Sequence, residues 1–229
     1  MGFGFSVEVW GDYACFSRPE LKVERVSYEV ITPSAARGIL ESILWKPAIE
    51  YVIDQISVCS PINFDNIRRN EIKSKITYRS IENAEKELND RRLYLSASEE
   101  RTQRASMVLR NVRYIISGHF ILTDKAGSED SEAKFAAMLK RRLENGQNYS
   151  MPYLGVREFP AFLKIINEGE ESPKPIKETR SLGLMLYDID YIKNTDKYGK
   201  EIITSFKPKY FMAEMINGII DLRNVEILS

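Results

Sequence analysis

The chain has 229 residues, with 33 Lys plus Arg balancing 33 Asp plus Glu, one His and two Cys. This is an ordinary globular composition, long enough to bury a large core without disulfides or metal, and its neutrality leaves no global field to draw in nucleic acid. One His and the two separated cysteines, Cys15 and Cys59, cannot build a four-ligand structural zinc site, and no run approaches the ~18 apolar residues of a membrane span.

Met1-Gly2-Phe3-Gly4-Phe5-Ser6 matches the loose myristoylation pattern without a polybasic follow-up, and is weighed against the start of a first strand. From Phe5 to Phe16 the alternation of Phe5, Val7 and Val9 predicts that strand, with a bulge or bend at Gly11-Asp12. A basic connection with Arg18, Lys22 and Arg25 follows. Thr32-Pro33 offers an N-cap and a proline at the first helical position, and Ala36, Ile39, Leu40 and Ile43 fall at helical spacing, which predicts a helix over 33–46 stopped by Pro47. The β-branched run from Glu50 to Ile62 predicts a second strand. Cys15 and Cys59 lie in strand-like runs and read as buried free thiols, as in a reducing cytoplasm.

Residues 63–113 are the most polar and least regular, with twelve Lys or Arg against eight acidic residues, so a locally basic surface can sit there under an overall neutral balance. Val112 to Thr123 predicts a strand, Ser131 to Asn145 a helix ended by Gly146, and Pro152 to Asn167 a further strand. The order strand, helix, strand, strand, helix, strand is the βαββαβ pattern of ferredoxin-like (RRM-like) α+β domains, expected over 1–167. A charged, proline-containing linker at 168–178 leads to strand patterns at Leu182–Ile192 and Lys200–Met212, expected to form a small antiparallel β-sheet domain over 168–229.

No phosphate-binding loop, nucleophile elbow, dinucleotide fingerprint or HExxH motif anchors a cofactor or hydrolase function, and no cofactor or metal is expected. Such a fold with basic connections is often used for single-stranded RNA, through charge neutralisation and base stacking. The densest basic pairs are Arg68-Arg69 and Arg141-Arg142.

The block VEVWGDYACFSRPELKVERVSYEVITPSAARGILESILWKPAIEYVIDQISV, then NIRRNE, then KRRLENGQNYSMPYLGVREF, resembles the CRISPR-associated Cas-five family of the RAMP superfamily, in its subtype I-C variant. The resemblance covers most of the chain. It implies an antiviral-defence protein of the cytoplasm that cuts the hairpin-containing CRISPR precursor transcript without metal. It further implies that the protein stays on the 5′ handle of the guide RNA beside other subunits of the interference complex.

Such a cut proceeds by attack of a 2′-hydroxyl on phosphorus and needs a base, a cation for the developing charge and an acid for the leaving oxygen. In the family this work falls to a Tyr closing the first helix and a Lys-His pair opening the second. Here the Tyr position is Leu44, and the Lys-His position is Lys134 followed by Phe135. Lys134 is therefore the expected charge stabiliser, with His119 as the substitute imidazole and Tyr13, or Tyr28, as the substitute phenol. Arg18, Lys22, Arg25, Arg37, Arg68, Arg69, Arg141 and Arg142 are the expected RNA contacts. The losses at 44 and 135 keep open the alternative of a non-catalytic guide-RNA-binding subunit. A metal-dependent nuclease on duplex DNA is the weakest of the three, because no tight Asp/Glu cluster is present in the sequence.

Overall fold

The computed structural model describes residues 4–21, 23–86, 93–167, 169–195, 199 and 201–229. Lys22 and the Met1–Phe3 start of the myristoylation pattern lie outside them. The described residues form an α+β structure of many strands and few helices: β1 (Gly4–Ala14), β2 (Arg25–Val26), α1 (Pro33–Ile43), β3 (Ile49–Val58), β4 (Phe64–Ile72), α2 (Tyr78–Lys86), β5 (Arg101–Leu122), α3 (Glu132–Glu144), β6 (Phe162–Ile165), β7 (Arg180–Thr195), β8 (Glu201–Met215) and β9 (Ile219–Asp221).

The central sheet runs β6-β1-β5-β3-β9, each neighbour antiparallel, and β2 and β4 pair with the far half of β5. The apolar alternation of β1 buries Phe5, Val7 and Val9 on the side of Tyr51, Tyr114, Ile116 and Phe120. This face packs against Leu40 of α1, Leu44 just past its end, and Phe135 and Leu139 of α3 in one continuous core. β1 does not end at Gly11. A Cβ at Gly11 would lie 2.5 Å from Leu154 and 2.9 Å from the Pro160 carbonyl, so the glycine serves a close approach rather than a bend. The irregularity sits on the partner strand, where Asn111 takes φ 53° opposite this segment.

α1 starts as its sequence predicts: the Thr32 hydroxyl accepts from the Ala35 N–H at 3.3 Å and Pro33 occupies the first turn. It ends at Ile43, before the predicted residue 46, because Leu44 is already extended. The carbonyls freed by that ending find other donors: Ser42 accepts from the Tyr149 and Ser150 N–H groups, Ile43 from Arg142, and Leu44 from the Tyr51 hydroxyl at 2.7 Å.

The polar stretch 63–113 holds β4, α2 and the first half of β5. β4 reads FDNIRRNEI and pairs only with β5, so neither of its faces needs an apolar alternation, and the pattern that reveals half-buried strands is missing. β5 is accordingly 22 residues long, and it is already buried at Val108 and Leu109, before Val112, where the sequence predicts a strand to begin.

The predicted strand from Pro152 to Asn167 shrinks to β6. Pro152 and Pro160 cannot donate to a ladder, and Gly155 turns at φ 83° with its missing Cβ 2.1 Å from the Cys15 carbonyl. Residues 171–179 carry no regular structure. β7 and β8 pair with one another as a two-stranded sheet, whose base buries Leu182, Met185, Phe211 and Met215 in the same core. β9, which the sequence pattern does not announce, pairs with the edge of β3 through Gln55↔Asp221.

Candidate functional site

α3 begins at an N-cap, with the Ser131 hydroxyl accepting from the Lys134 N–H. This fixes Lys134 in the first turn, where its ammonium donates to Asp130 at 2.8 Å; the other Asp130 oxygen accepts from the Gly127 N–H at 2.9 Å. The hydrogen bond to Asp130 raises the Lys134 pKa above the ordinary lysine value. The group is therefore a permanent cation at neutral pH, suited to stabilising negative charge and unsuited to accepting a proton. Asp130 was not singled out in the sequence, although its i−4 spacing on the N-terminal side of Lys134 is a readable signal.

Phe135 is 3% exposed and Leu44 fully buried, so the two positions at which the resemblance leads one to expect a His and a Tyr are core positions here. They cement α3 to α1. Tyr28, the second substitute phenol, is also buried, and the Arg18 guanidinium lies over its ring at 4.5 Å.

His119 lies on the sheet face turned away from α1 and α3, since its neighbours Gly118 and Phe120 face the core. Its Nδ1 lies 2.8 Å from Asp54, the residue skipped by the register shift between Ile53 and Gln55. The carboxylate can only accept, so Nδ1–H donates to it and fixes the orientation of the ring. Asp54 carries no sequence signal, because a bulge and a strand pairing across 65 positions create the contact. Tyr13 packs against Phe159 at the opposite end of β1; Tyr13 pairs with Arg110 and Gly4 with His119, a separation of roughly 30 Å at strand rise. Lys134, His119 and Tyr13 thus occupy three different places.

The basic pairs split. Arg69 points inward, donating to Ser106 at 3.1 Å and pairing with Glu158, while Arg68 next to it faces out. Arg142 points inward to the Ile43 carbonyl at 2.6 Å, and Arg141 faces out. Neither Arg68 nor Arg141 has an acidic partner among the described residues. Arg25 lies 3.4 Å from Glu71 and 3.9 Å from Glu158, and Arg18 lies 3.8 Å from Glu20. Arg37 is held by both oxygens of Asp188, one at 2.9 Å, and by Glu41 at 3.5 Å. The partners Glu158 and Asp188 are remote in sequence, so their pairing was not legible there. The outer face of the β4–β5 ribbon, with Asn66, Arg68 and Asn70 opposite Met107, Ala105 and Gln103, carries no carboxylate.

The sequence model of the family described as CRISPR-associated protein (Cas_Cas5) matches residues 5–223. A protein of Mannheimia succiniciproducens named CRISPR pre-crRNA endoribonuclease Cas5d is 46% identical over 222 residues, covering 94% of this chain and 93% of that protein. The like-named protein of Thermus thermophilus is 38% identical over 188 residues, 82% of this chain and 74% of that one. Among solved structures, a CRISPR-associated protein superposes with a TM-score of 0.66 at 20% identity, covering 99% of this chain and 96% of that one. A functionally uncharacterised protein of Streptococcus mutans, SMU1763c, superposes at 0.65 and 21% identity, covering 99% and 97%. These two likenesses establish a shared fold. The family match over nearly the whole length, with the Cas5d relatives, makes the chain a member of the CRISPR-associated Cas5 family, Cas5d branch, consistent with subtype I-C.

Proposed function

We propose that this chain cuts CRISPR precursor RNA at its repeat hairpin by metal-independent 2′-hydroxyl attack. It then remains on the guide 5′ handle in the interference complex, in the cytoplasm. The observation that carries the proposal is the 46% identity, end to end, with a pre-crRNA endoribonuclease. The 2′-oxygen bonds to phosphorus, its proton passes to a base, and the P–O5′ bond breaks. The 5′-oxygen takes a proton from a general acid and leaves as a hydroxyl, and the other end is a 2′,3′-cyclic phosphate. Lys134 gives one ammonium N–H to Asp130 and keeps two others that can donate to the phosphorane oxygens. Arg68 and Arg141, outward-facing, supply phosphate contacts; Arg18, Arg25, Arg37, Arg69 and Arg142 hold the surfaces that present them.

The order β6-β1-β5-β3, antiparallel throughout with α1 and α3 on one face, supports a ferredoxin-like reading of 1–167. The self-pairing of β7 and β8 supports 168–229 as a second unit of topology, though its base shares the core of the first. The burial of Leu44 and Phe135 favours the second reading, a guide-bound subunit that leaves cutting to another nuclease.

The test is incubation with the chain's own repeat RNA in chelator. One cut is expected, reduced by orders of magnitude in Lys134→Ala with binding little changed. No cut with retained hairpin binding leaves the second reading standing alone. Full activity in Lys134→Ala together with loss in His119→Ala moves the site to the open sheet face.

A further inference from the structure

A cavity of about 440 Å³ opens between α1, the middle of β7 from Leu186 to Tyr191 and the turn around Tyr153. It contains none of the three candidate cutting residues. α1 presents Ser34, Gly38 and Ser42 to it, one turn apart. Gly38 is the informative position: glycine is the poorest ordinary helix former, and here a Cβ would meet nothing within 4 Å. By contrast, a Cβ at Gly11 or Gly155 would strike neighbouring atoms of the chain itself. The protein's own packing gives Gly38 no reason, whereas a flat ligand lying against the helix backbone does.

The other walls describe that ligand. Tyr153 and Tyr191 line the cavity with 38% and 56% of their surface exposed, offering ring faces for stacking. Arg37 is neutralised by its two-oxygen grip on Asp188, so the interior of the cavity offers no free charge to an anion. At its rim, α1 opens with no acidic side chain in its first turn. The Thr32 cap takes the Ala35 N–H and its hydroxyl meets the Ser34 hydroxyl at 3.2 Å, which leaves the Ser34 N–H beside it. That is a place for a phosphate next to a slot for an uncharged ring.

We infer that this cavity takes one unpaired nucleotide of the RNA strand, its base lying over Gly38 against the tyrosine rings and its phosphate at the start of α1. The inference rests on the RNA-processing function proposed above and adds a base-holding subsite to it.

The test is Gly38→Leu, with a fluorescent oligouridylate and the chain's own repeat RNA as probes. A side chain at 38 fills the slot and favours the helix, so Tm is expected to rise by about 2–4 °C while RNA affinity falls about tenfold to a hundredfold. A merely structural glycine would not separate these signs. Tyr191→Ala is expected to weaken RNA binding in the same way and Tyr191→Phe to restore it; this pair decides the matter should Gly38→Leu fail to fold. Unchanged affinity in Gly38→Leu overturns the subsite alone. Wild-type protein that binds neither probe overturns the RNA function and the subsite with it. Intact RNA binding with lost retention of a protein subunit also overturns the inference, by making the cavity a protein contact.

Discussion

Installing the polar side chains that the family resemblance leads one to expect, Leu44→Tyr with Phe135→His, tests whether the end of α1 and the start of α3 can form a reaction site. Leu44 is fully buried and Phe135 is 3% exposed, both in the core that joins α1 to α3. A tyrosine at 44 must force extra volume into a filled interior, at a cost of about 1–3 kcal/mol. A histidine at 135 buries ring nitrogens where the phenylalanine needs no hydrogen-bond partner, at about 1–3 kcal/mol more. Even the low end of the sum, about 2 kcal/mol, lowers Tm by roughly 4–8 °C for a chain of this length. Differential scanning fluorimetry reads the stability, and a repeat-RNA cutting assay on the still-folded fraction reads the activity. The expected outcome is a less stable protein that cuts no faster than the parent. A double variant that keeps its Tm and cuts faster refutes the reasoning, since the two side chains would then have room and access to RNA.

Other outcomes follow from the split of the basic pairs. Arg68→Ala should reduce the salt slope of RNA binding by about 0.7–0.9, the contribution of one phosphate contact, whereas Arg69→Ala should show chiefly as lost stability because it strips Glu158 and Ser106 of their partner. Arg142→Ala removes a charged donor from the Ile43 carbonyl and is expected to cost about 1.5–3 kcal/mol by thermal denaturation, with Arg141→Ala neutral in the same assay. Burial pushes the Cys59 thiol up from 9.0 to about 11. At pH 8 its alkylation should be roughly a hundredfold slower than in the unfolded chain. Between those two values the unfolded thiol is ionised and the native one keeps its proton, so stability should fall as pH rises through this window; a Cys59→Ala variant should lack that loss.

The sequence announced the parts of this fold whose side chains meet a core. β1, α1, the second half of β5 and α3 carry period-2 or period-3.6 apolar patterns and capping residues at both helix starts, and they stand within a few residues of their expected bounds. β4, α2 and the first half of β5 do not: the half-buried face of β4 carries Asp65, Arg69 and Glu71 beside Ile67, so this strand is held by its backbone ladder and has no apolar stripe to display. β9 is three residues long and owes its existence to the free edge of β3. At the site, Lys134 was legible from the family pattern and its cap. Asp54, Glu158 and Asp188 were not, because strand pairing and chain reversal bring them to His119, Arg69 and Arg37. The adjacency of Arg68 and Arg69 concealed that a strand sends consecutive side chains to opposite faces, so one contact surface in the sequence became two in the fold.

The central claim, that this chain cuts RNA through a 2′-hydroxyl, meets its most direct test in repeat RNA carrying single 2′-deoxy substitutions, incubated in chelator. The account predicts that one substitution, at the nucleotide 5′ to the scissile phosphate, abolishes the cut without weakening binding, and that unmodified RNA yields a 2′,3′-cyclic phosphate end. Cutting that persists through every single 2′-deoxy substitution would contradict it.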